Sequence, residues 1–361
     1  MDSSRISLRP FKLSDVDDFL KWASDDRVTR YLRWNSFTSR EEALAHLEKV
    51  AIIHPWRRSI CLDDRSIGYI SIFPESGDDR CRANFGYALA PEYWGQGIAT
   101  IASKTAVSSV FHDLPYLVRL QALVEVEHRS SQRVLEKVGF VKEGLLRKYG
   151  YIKGEIRDML VYSFLSTDFV LWRGQMEQNS FTSDLSKESG DEFSDISLRP
   201  LDLSDIDDFM VWATDAKVAL FCSWEPYTSK EDALNYIKNS VLPHPWFKAI
   251  CLNNRPIGAI SVTKNSGNDI CRGELGYVLA SQYWGKGVAT KAVKLVAKTI
   301  FVEWPHLERL EALVDVQNEG SQRVLEKAGF KREGVLRNYF ILKGRSRDMV
   351  MFSLLSTDPQ I

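Results

Sequence analysis

Cysteine is scarce in this sequence. There are five in 361 residues, Cys61, Cys81, Cys222, Cys251 and Cys271, and no CxxC pair. An odd count without paired spacing excludes a disulfide-stapled secreted scaffold and points to reduced, mostly buried thiols. Neither sign of charge is in excess: 47 Lys and Arg face 48 Asp and Glu, for a net charge of −1. General affinity for nucleic acid or an anionic membrane is therefore not expected. No apolar run reaches the ~18–20 residues that span a bilayer. The opening MDSSRISLRPFKLSD has no apolar stretch of a secretory signal. The domain pattern already begins by Ile6, which argues against a transit peptide. No His, Cys, Asp or Glu set has metal-ligand spacing. These absences lead us to expect a cytoplasmic protein with no metal, no nucleic-acid partner and no membrane partner.

What the sequence has is a repeat. Ile6-Ser-Leu-Arg-Pro10 recurs as Ile196-Ser-Leu-Arg-Pro200, and Tyr93-Trp-Gly95 as Tyr283-Trp-Gly285. Ser131-Gln-Arg-Val-Leu-Glu-Lys137 recurs as Ser321-Gln-Arg-Val-Leu-Glu-Lys327, each time with an offset of 190. That period is far longer than the ~20–50 residues of a solenoid repeat. Each copy should be a domain with its own core, over 1–170 and 194–361. Between them, 171–193 is rich in Ser, Asp, Glu and Gln and reads as a flexible linker.

Within one copy, periodicity predicts strand Ile6–Arg9 and a helix capped by Ser14 with Val16, Phe19, Leu20 and Ala23 on its apolar face. A capping box over Thr38–Glu41 should open a second helix. Strands follow at Ser59–Leu62, Ile67–Phe73 and Phe85–Ala90, with Asp63, Asp64 and Arg65 as a hairpin loop. A helix over Gly97–Phe111, a strand over Arg119–Val126 and a short helix Ser130–Val138 ended by Gly139 come next. Two strands complete the copy.

The strongest chemical signal is Tyr93-Trp94-Gly95-Gln96-Gly97-Ile98-Ala99-Thr100, repeated as Tyr283-Trp284-Gly285-Lys286-Gly287-Val288-Ala289-Thr290. It lies between a strand and a helix. Glycines let backbone N–H groups approach a ligand, and a helix N-terminus adds unpaired donors and partial positive charge. Together they suit a pyrophosphate. A Walker A loop would need Gly-Lys-Ser/Thr, which is missing. A dinucleotide turn would need an acidic ribose ligand and an early βαβ unit. A tight turn without a ligand is the plainer alternative.

With these motifs, Gly-Tyr-x-Leu-x(4)-Trp-Gly-x-Gly-x-Ala-Thr and then Arg-Val-Leu-Glu-Lys-x-Gly-Phe, both halves resemble the GNAT superfamily of N-acetyltransferases, in its ribosomal-protein (RimJ/RimL-type) branch. The resemblance implies an α+β fold, a mixed and mostly antiparallel sheet flanked by helices, written twice. It implies acetyl-CoA as co-substrate, with pyrophosphate on the N–H groups of Gln96, Gly97, Ile98, Ala99 and Thr100, or of Lys286, Gly287, Val288, Ala289 and Thr290. The pantetheine arm would pass Leu89 or Leu279. Trp94 and Trp284 stand where the superfamily commonly has Gln or Arg. An amine attacking a thioester must be deprotonated, hence needs a base. Relatives place a carboxylate where the second copy has Glu274; the first has Asn84, which accepts no proton near neutrality. The second copy keeps the family's Asn-x-x-Ser as Asn318 and Ser321, implying roles in holding the cofactor arm and assisting the thiolate. The first copy has His128 and Ser131. His128 is either an alternative base or a surface histidine at a strand end. Glu274 could instead pair with Arg272 or Arg347. Leu135 and Leu325 replace the tyrosine acid of many relatives. Tyr87 and Tyr277 read as packing, Asp158 and Asp348 as turn contacts. The segments Trp34–Phe37 and Trp224–Tyr227 read as an acceptor groove or as core. His54-Pro-Trp56 and its repeat have no assigned role.

The expected function is transfer of an acetyl group to a primary amine, of a protein N-terminus or a small molecule, chiefly by the second copy. The alternative is a non-catalytic acyl-CoA-binding scaffold. The two copies, being alike, are candidates to pack as a pseudo-dimer.

Overall fold

The computed structural model describes residues 3–171 and 195–359. The linker segment lies outside the described residues except for Leu171. The first copy runs β1 (Ile6–Arg9), α1 (Val16–Ala23), α2 (Asp26–Thr29), α3 (Arg40–His46), β2 (Arg57–Leu62), β3 (Arg65–Pro74), β4 (Arg82–Leu89), α4 (Ile98–Asp113), β5 (Arg119–Glu125), α5 (Arg129–Val138), β6 (Val141–Ile152), β7 (Glu155–Leu165) and α6 (Ser166–Leu171). The second runs β8 (Ile196–Pro200), α7 (Ile206–Ala213), α8 (Ala216–Ala219), α9 (Lys230–Tyr236), β9 (Phe247–Leu252), β10 (Arg255–Lys264), β11 (Arg272–Leu279), α10 (Val288–Glu303), β12 (Arg309–Asp315), α11 (Glu319–Lys327), β13 (Lys331–Leu342) and β14 (Arg345–Leu355). The fold is α+β, as expected. No described helix is long and apolar enough to cross a membrane.

Side chains alternate across each strand, so each sheet half buries two faces. On β3, Ile70 and Ile72 enter a core with Ile98, Ala102, Val110 and Leu135 of α4 and α5. Tyr69, which precedes Ile70 and points to the opposite face, enters a second core with Phe19 and Trp22 of α1 and Leu47 after α3. Two local expectations are corrected. Ser14 does not cap α1, because Leu13–Asp15 forms a 3-10 turn and buried Asp15 accepts from Lys12 N and from Arg9 (2.8 Å each). The capping box sits one residue later: Ser39 Oγ accepts from Glu42 N, and the Glu42 carboxylate accepts from Thr38 N. The β2–β3 turn has Asp63 and Asp64 at φ 51° and 63°, both left-handed, as a two-residue hairpin demands. Asn253 and Asn254, at 50° and 62°, suit the same turn better in the second copy.

The fourteen strands of the described residues form one sheet, in the order β1-β2-β3-β4-β5-β7-β6-β13-β14-β12-β11-β10-β9-β8. Among the described residues, only β4–β5 and β11–β12 are parallel. The copies meet edge to edge where Gly144 of β6 pairs with Gly334 of β13. A Cβ on either glycine would collide with the opposing carbonyl of Glu333 or Glu143, so glycine is required here for close approach. Around this point Leu146, Tyr149 and Met159 of the first copy pack with Leu336, Tyr339 and Met351 of the second. Buried ion pairs repeat across the junction. Arg119 bonds both oxygens of Glu143 (2.9 and 2.6 Å) and donates to Arg337 O (2.7 Å). Arg309 does the same with Glu333 (3.0 and 2.6 Å) and Arg147 O (2.7 Å). Asp158 and Asp348 hold strand irregularities rather than turns, accepting from Lys148 N and Asn338 N, whose residues have φ of 47° where β6 and β13 shift register.

Candidate active site

The turn before α4 has Gly95 at φ 74° and Gly97 at φ 80°; before α10, Gly285 and Gly287 have φ 72° and 76°. No atom lies within 4 Å of a Cβ built on any of the four, so the space in front of this backbone is open. The first helical backbone bonds are made by Ile101 N to Gly97 O and Lys291 N to Gly287 O (3.0 Å each). The N–H groups of Ile98, Ala99, Thr100 and of Val288, Ala289, Thr290 are thus the free donors of a helix start. Ile98 and Val288 side chains are buried and anchor the helices. Trp94 Nε1 donates to Leu89 O (2.7 Å) and Trp284 Nε1 to Leu279 O (2.8 Å). Each tryptophan ties its turn to the end of the preceding strand. Gln96 donates to Glu92 O (2.8 Å), and Lys286 Nζ lies 5.9 Å from the Tyr283 ring centroid. These positions fit a pyrophosphate: backbone donors, no Cβ, and a fixed approach.

From the turn a cleft leads along the strands. β4 and β5 pair only over Arg82–Asn84 with Arg119–Gln121, then part; β11 and β12 pair only over Arg272–Glu274 with Arg309–Glu311. In the first copy the gap is a cavity of about 870 Å³ running from Gly97 and Thr100 past Leu89 to Tyr31 and Met159. Tyr31, Phe85 and Met159 also line a second, larger cavity of about 1240 Å³. That cavity is shared: Asn84, Gln121 and Arg57 line it from the first copy, Glu274, Glu311 and Trp224 from the second.

The two copies differ at the point where the strands part. Glu274 and Glu311 are register partners on β11 and β12. Glu311 is buried and ion-paired to Arg272 (2.5 Å) and Arg309 (2.7 Å). Burial raises its pKa, but the two guanidiniums prevail and hold the carboxyl below its ordinary value. Glu274 pairs with neither Arg272 nor Arg347, contrary to the structural alternative: Arg272 takes Glu311, and Arg347 faces Asp315 (3.7 Å). Its carboxylate has no hydrogen bond or ion pair among the described residues. Its side chain is exposed to the cavity. Desolvation, followed by the charges of Glu311 and of Asp79 from the first copy, pushes its pKa up to about 7. The first copy replaces both carboxylates with amides: Gln121 donates to Asn84 Oδ1 (2.8 Å), and Asn84 donates to Glu75 (2.5 Å).

Asn318 caps α11, its Oδ1 accepting from Ser321 N (3.1 Å). Neither residue lines the cavity that Glu274 faces. Ser321 O accepts from Tyr277 Oη (3.1 Å), and in the first copy Tyr87 Oη and Ser131 Oγ are 3.0 Å apart. These tyrosines tie strand to helix and have pKa values pushed up to about 12 by burial. His128 is no surface histidine: it is half-buried, stacked on Tyr31 at 3.8 Å between ring centroids. Burial, then the charge of Arg30, brings its pKa down to about 4. Trp34 and Trp224 pack on the α1 and α7 cores, and Trp224 also lines the shared cavity. His54 and His244 accept from Trp56 N and Trp246 N through Nδ1 (3.2 and 3.1 Å), which fixes the His-Pro-Trp turns.

The acetyltransferase (GNAT) domain model matches residues 5–141 and again 195–331. An uncharacterized N-acetyltransferase, YoaA of Bacillus subtilis, is 33% identical over 46% of this chain and 96% of its own length. The putative ribosomal N-acetyltransferase YdaF of the same organism is 29% identical, over 38% of this chain and 79% of its own. The spermidine N(1)-acetyltransferase of Escherichia coli is 34% identical, over 43% and 83%. The chain belongs to the GNAT acetyltransferase family, written twice, and is an N-acetyltransferase.

Proposed function

We propose that the chain comprises two acetyl-CoA-binding domains, over 1–170 and 194–361, packed as a pseudo-dimer in the cytoplasm, and that the second performs the transfer. Bound acetyl-CoA supplies an activated acetyl thioester open to direct attack by an amine. The backbone donors of Gly97 to Thr100 and of Gly287 to Thr290 hold the pyrophosphate, and Leu89 and Leu279 flank the arm. Glu274 takes the proton from the attacking amine. One observation carries this: a carboxylate without a cation, poised near neutral pH, stands where β11 and β12 part. A base is most effective when its pKa lies near the working pH. Glu311, held ionised by two arginines, keeps that pKa raised. Asn84 and Gln121 leave the first copy without a proton acceptor at this place.

The acceptor is a primary amine, of a protein N-terminus or a small molecule, as the names of the ribosomal and spermidine relatives suggest. The test is acetyl-CoA consumption by the full chain over a panel of peptides and amines. Turnover lost in Glu274→Gln with acetyl-CoA binding retained supports the reading; turnover unchanged in that variant sinks it.

A further inference from the structure

The acids lining the shared cavity are accounted for except one. Asp79 pairs with Arg82, Asp269 with Arg33, Glu311 with Arg272 and Asp315 with Arg347, and Glu75 accepts from Asn84, while Glu274 has no partner among the described residues. One base is equally alone. Arg57, at the start of β2, lines the cavity from the first copy. Its guanidinium has no carboxylate and no hydrogen-bond acceptor among the described residues. Its Nε is buried and unbonded. It lies over the face of Tyr69, 5.1 Å from the ring centroid. Every other arginine lining this cavity has an anion. A largely buried guanidinium with no counter-charge is costly, and such groups are normally paired.

The neighbours of Arg57 offer donors. Ser71 is its register partner on β3 and lines the same cavity. His54 lines it too; its Nδ1 accepts from Trp56 N, which leaves the ring proton on Nε2. Burial, then the charge of Arg57, brings the His54 pKa down to about 4, so the ring is a neutral donor. The second copy lacks this set. Phe247 replaces Arg57, and His244 Nε2 is taken by Thr263 Oγ1 (3.2 Å). The duplication has thus placed an unpaired cation with donors on one wall and an unpaired carboxylate on the other.

We propose that the first-copy wall of the shared cavity, through Arg57, is a subsite for a carboxylate, and that the acceptor is an amine that also carries a carboxylate. The acceptor half of this rests on the acetyl-transfer reading above. Amine and carboxylate then meet Glu274 and Arg57 from one molecule lying across both copies. The first copy contributes recognition to a reaction whose base belongs to the second. A planar guanidinium suits this role because it can meet a carboxylate through two parallel N–H donors.

Two measurements on the full chain separate the claims. In the first, ω-amino acids and their amides are compared as acceptors. The acids should be preferred by about tenfold or more, the effect of one charge-assisted pair, chiefly through KM. Arg57→Gln should abolish that preference while leaving kcat for the amides intact, and Arg57→Lys should restore part of it. In the second, calorimetry with glutarate, which has no amine, reads the subsite without turnover. Binding should be lost in Arg57→Gln and kept in Glu274→Gln. Glutarate bound equally by wild type and Arg57→Gln, or by neither, overturns the subsite. If Arg57-dependent glutarate binding is found but neither acceptor series is turned over, the subsite stands and the acceptor reading fails. Arg57→Gln removes an uncompensated charge, so its melting temperature should not fall, which separates lost binding from lost folding.

Discussion

Glu274 and Glu311 stand opposite one another on parallel strands, and only Glu311 has arginines. Two neighbouring carboxylates with such different surroundings titrate apart: the paired one stays charged, and the lone one holds its proton to about pH 7. In the first copy, Asn84 and Gln121 occupy the same register and bond each other. The functional difference between the copies is concentrated in this pair of positions.

The rate should therefore follow the charge of Glu274. We expect kcat/KM to rise with pH and level off above about 7. Glu274→Gln should lower turnover by about 10²–10⁴-fold and remove that limb. Stability should run the other way. The folded-state pKa lies above the ordinary 4.5, so folding favours the protonated form. Stability falls as pH climbs from about 4.5 to about 7 and stays lowered above. Melting curves of wild type and Glu274→Gln across this range should converge on the acid side and separate on the alkaline side, the variant being the more stable. A rate profile flat from pH 5 to 8 would reject Glu274 as the base.

Much of this was legible in the chain. The offset of 190 exposed the duplication, and alternation with turn residues gave nearly every strand, because one repeat constrains the other. The glycine turn was equally visible, since its left-handed φ values demand glycine in both copies. Glu274 stood out against Asn84. Glu311 against Gln121 was available to the same comparison and was missed, because a charged residue inside an alternating strand reads as a solvent-facing position. Arg57 was missed for another reason. Its isolation follows from which carboxylates the fold spends elsewhere, and no local pattern reports that. The edge-to-edge junction was hidden too, because Gly144 and Gly334 look like ordinary strand breakers until another backbone lies against them.

Glu311→Gln tests the coupling between the pair. It removes the like charge beside Glu274 and frees Arg272 to act on it, and both changes lower the Glu274 pKa. The acid limb of the rate profile should move to lower pH, while the maximum rate changes less than in Glu274→Gln. Arg309 and Arg272 retain Glu333 and Asp269. The loss of stability should therefore stay at or below about 3 kcal/mol, the low end for breaking a buried pair. An unmoved limb would mean that Glu311 does not tune its neighbour.

The two turns should bind independently. Gly97 and Gly287 have φ of 80° and 76°, where an alanine costs about 1–2 kcal/mol. The added Cβ also enters the open space in front of the backbone donors. Calorimetry should count two CoA molecules per wild-type chain and one in either Gly97→Ala or Gly287→Ala. Only Gly287→Ala should abolish turnover. Equal loss of turnover in both variants would give the first copy a catalytic share that Asn84 and Gln121 argue against.

The junction offers a test of how far the halves depend on each other. Gly144→Ala and Gly334→Ala each drive a methyl into a carbonyl of the other copy, at the point where β6 and β13 pair. Neither change touches the cores around Ile72 or Val262, so each half should keep its own packing. The damage should fall on the groups that cross the junction. Arg309 donates to Arg147 O, and Tyr149 of the first copy lies under Arg272 at 4.1 Å and Arg309 at 5.6 Å. Those arginines hold Glu311, and Glu311 raises the pKa of Glu274. Parting the strands should thus disturb the second copy's site from a distance. We expect kcat to fall, the rate limb to shift, and unfolding to split into two transitions, with CoA still bound at both turns. One unchanged transition with full turnover would show that the sheet tolerates the extra methyl and that the junction does not support the site.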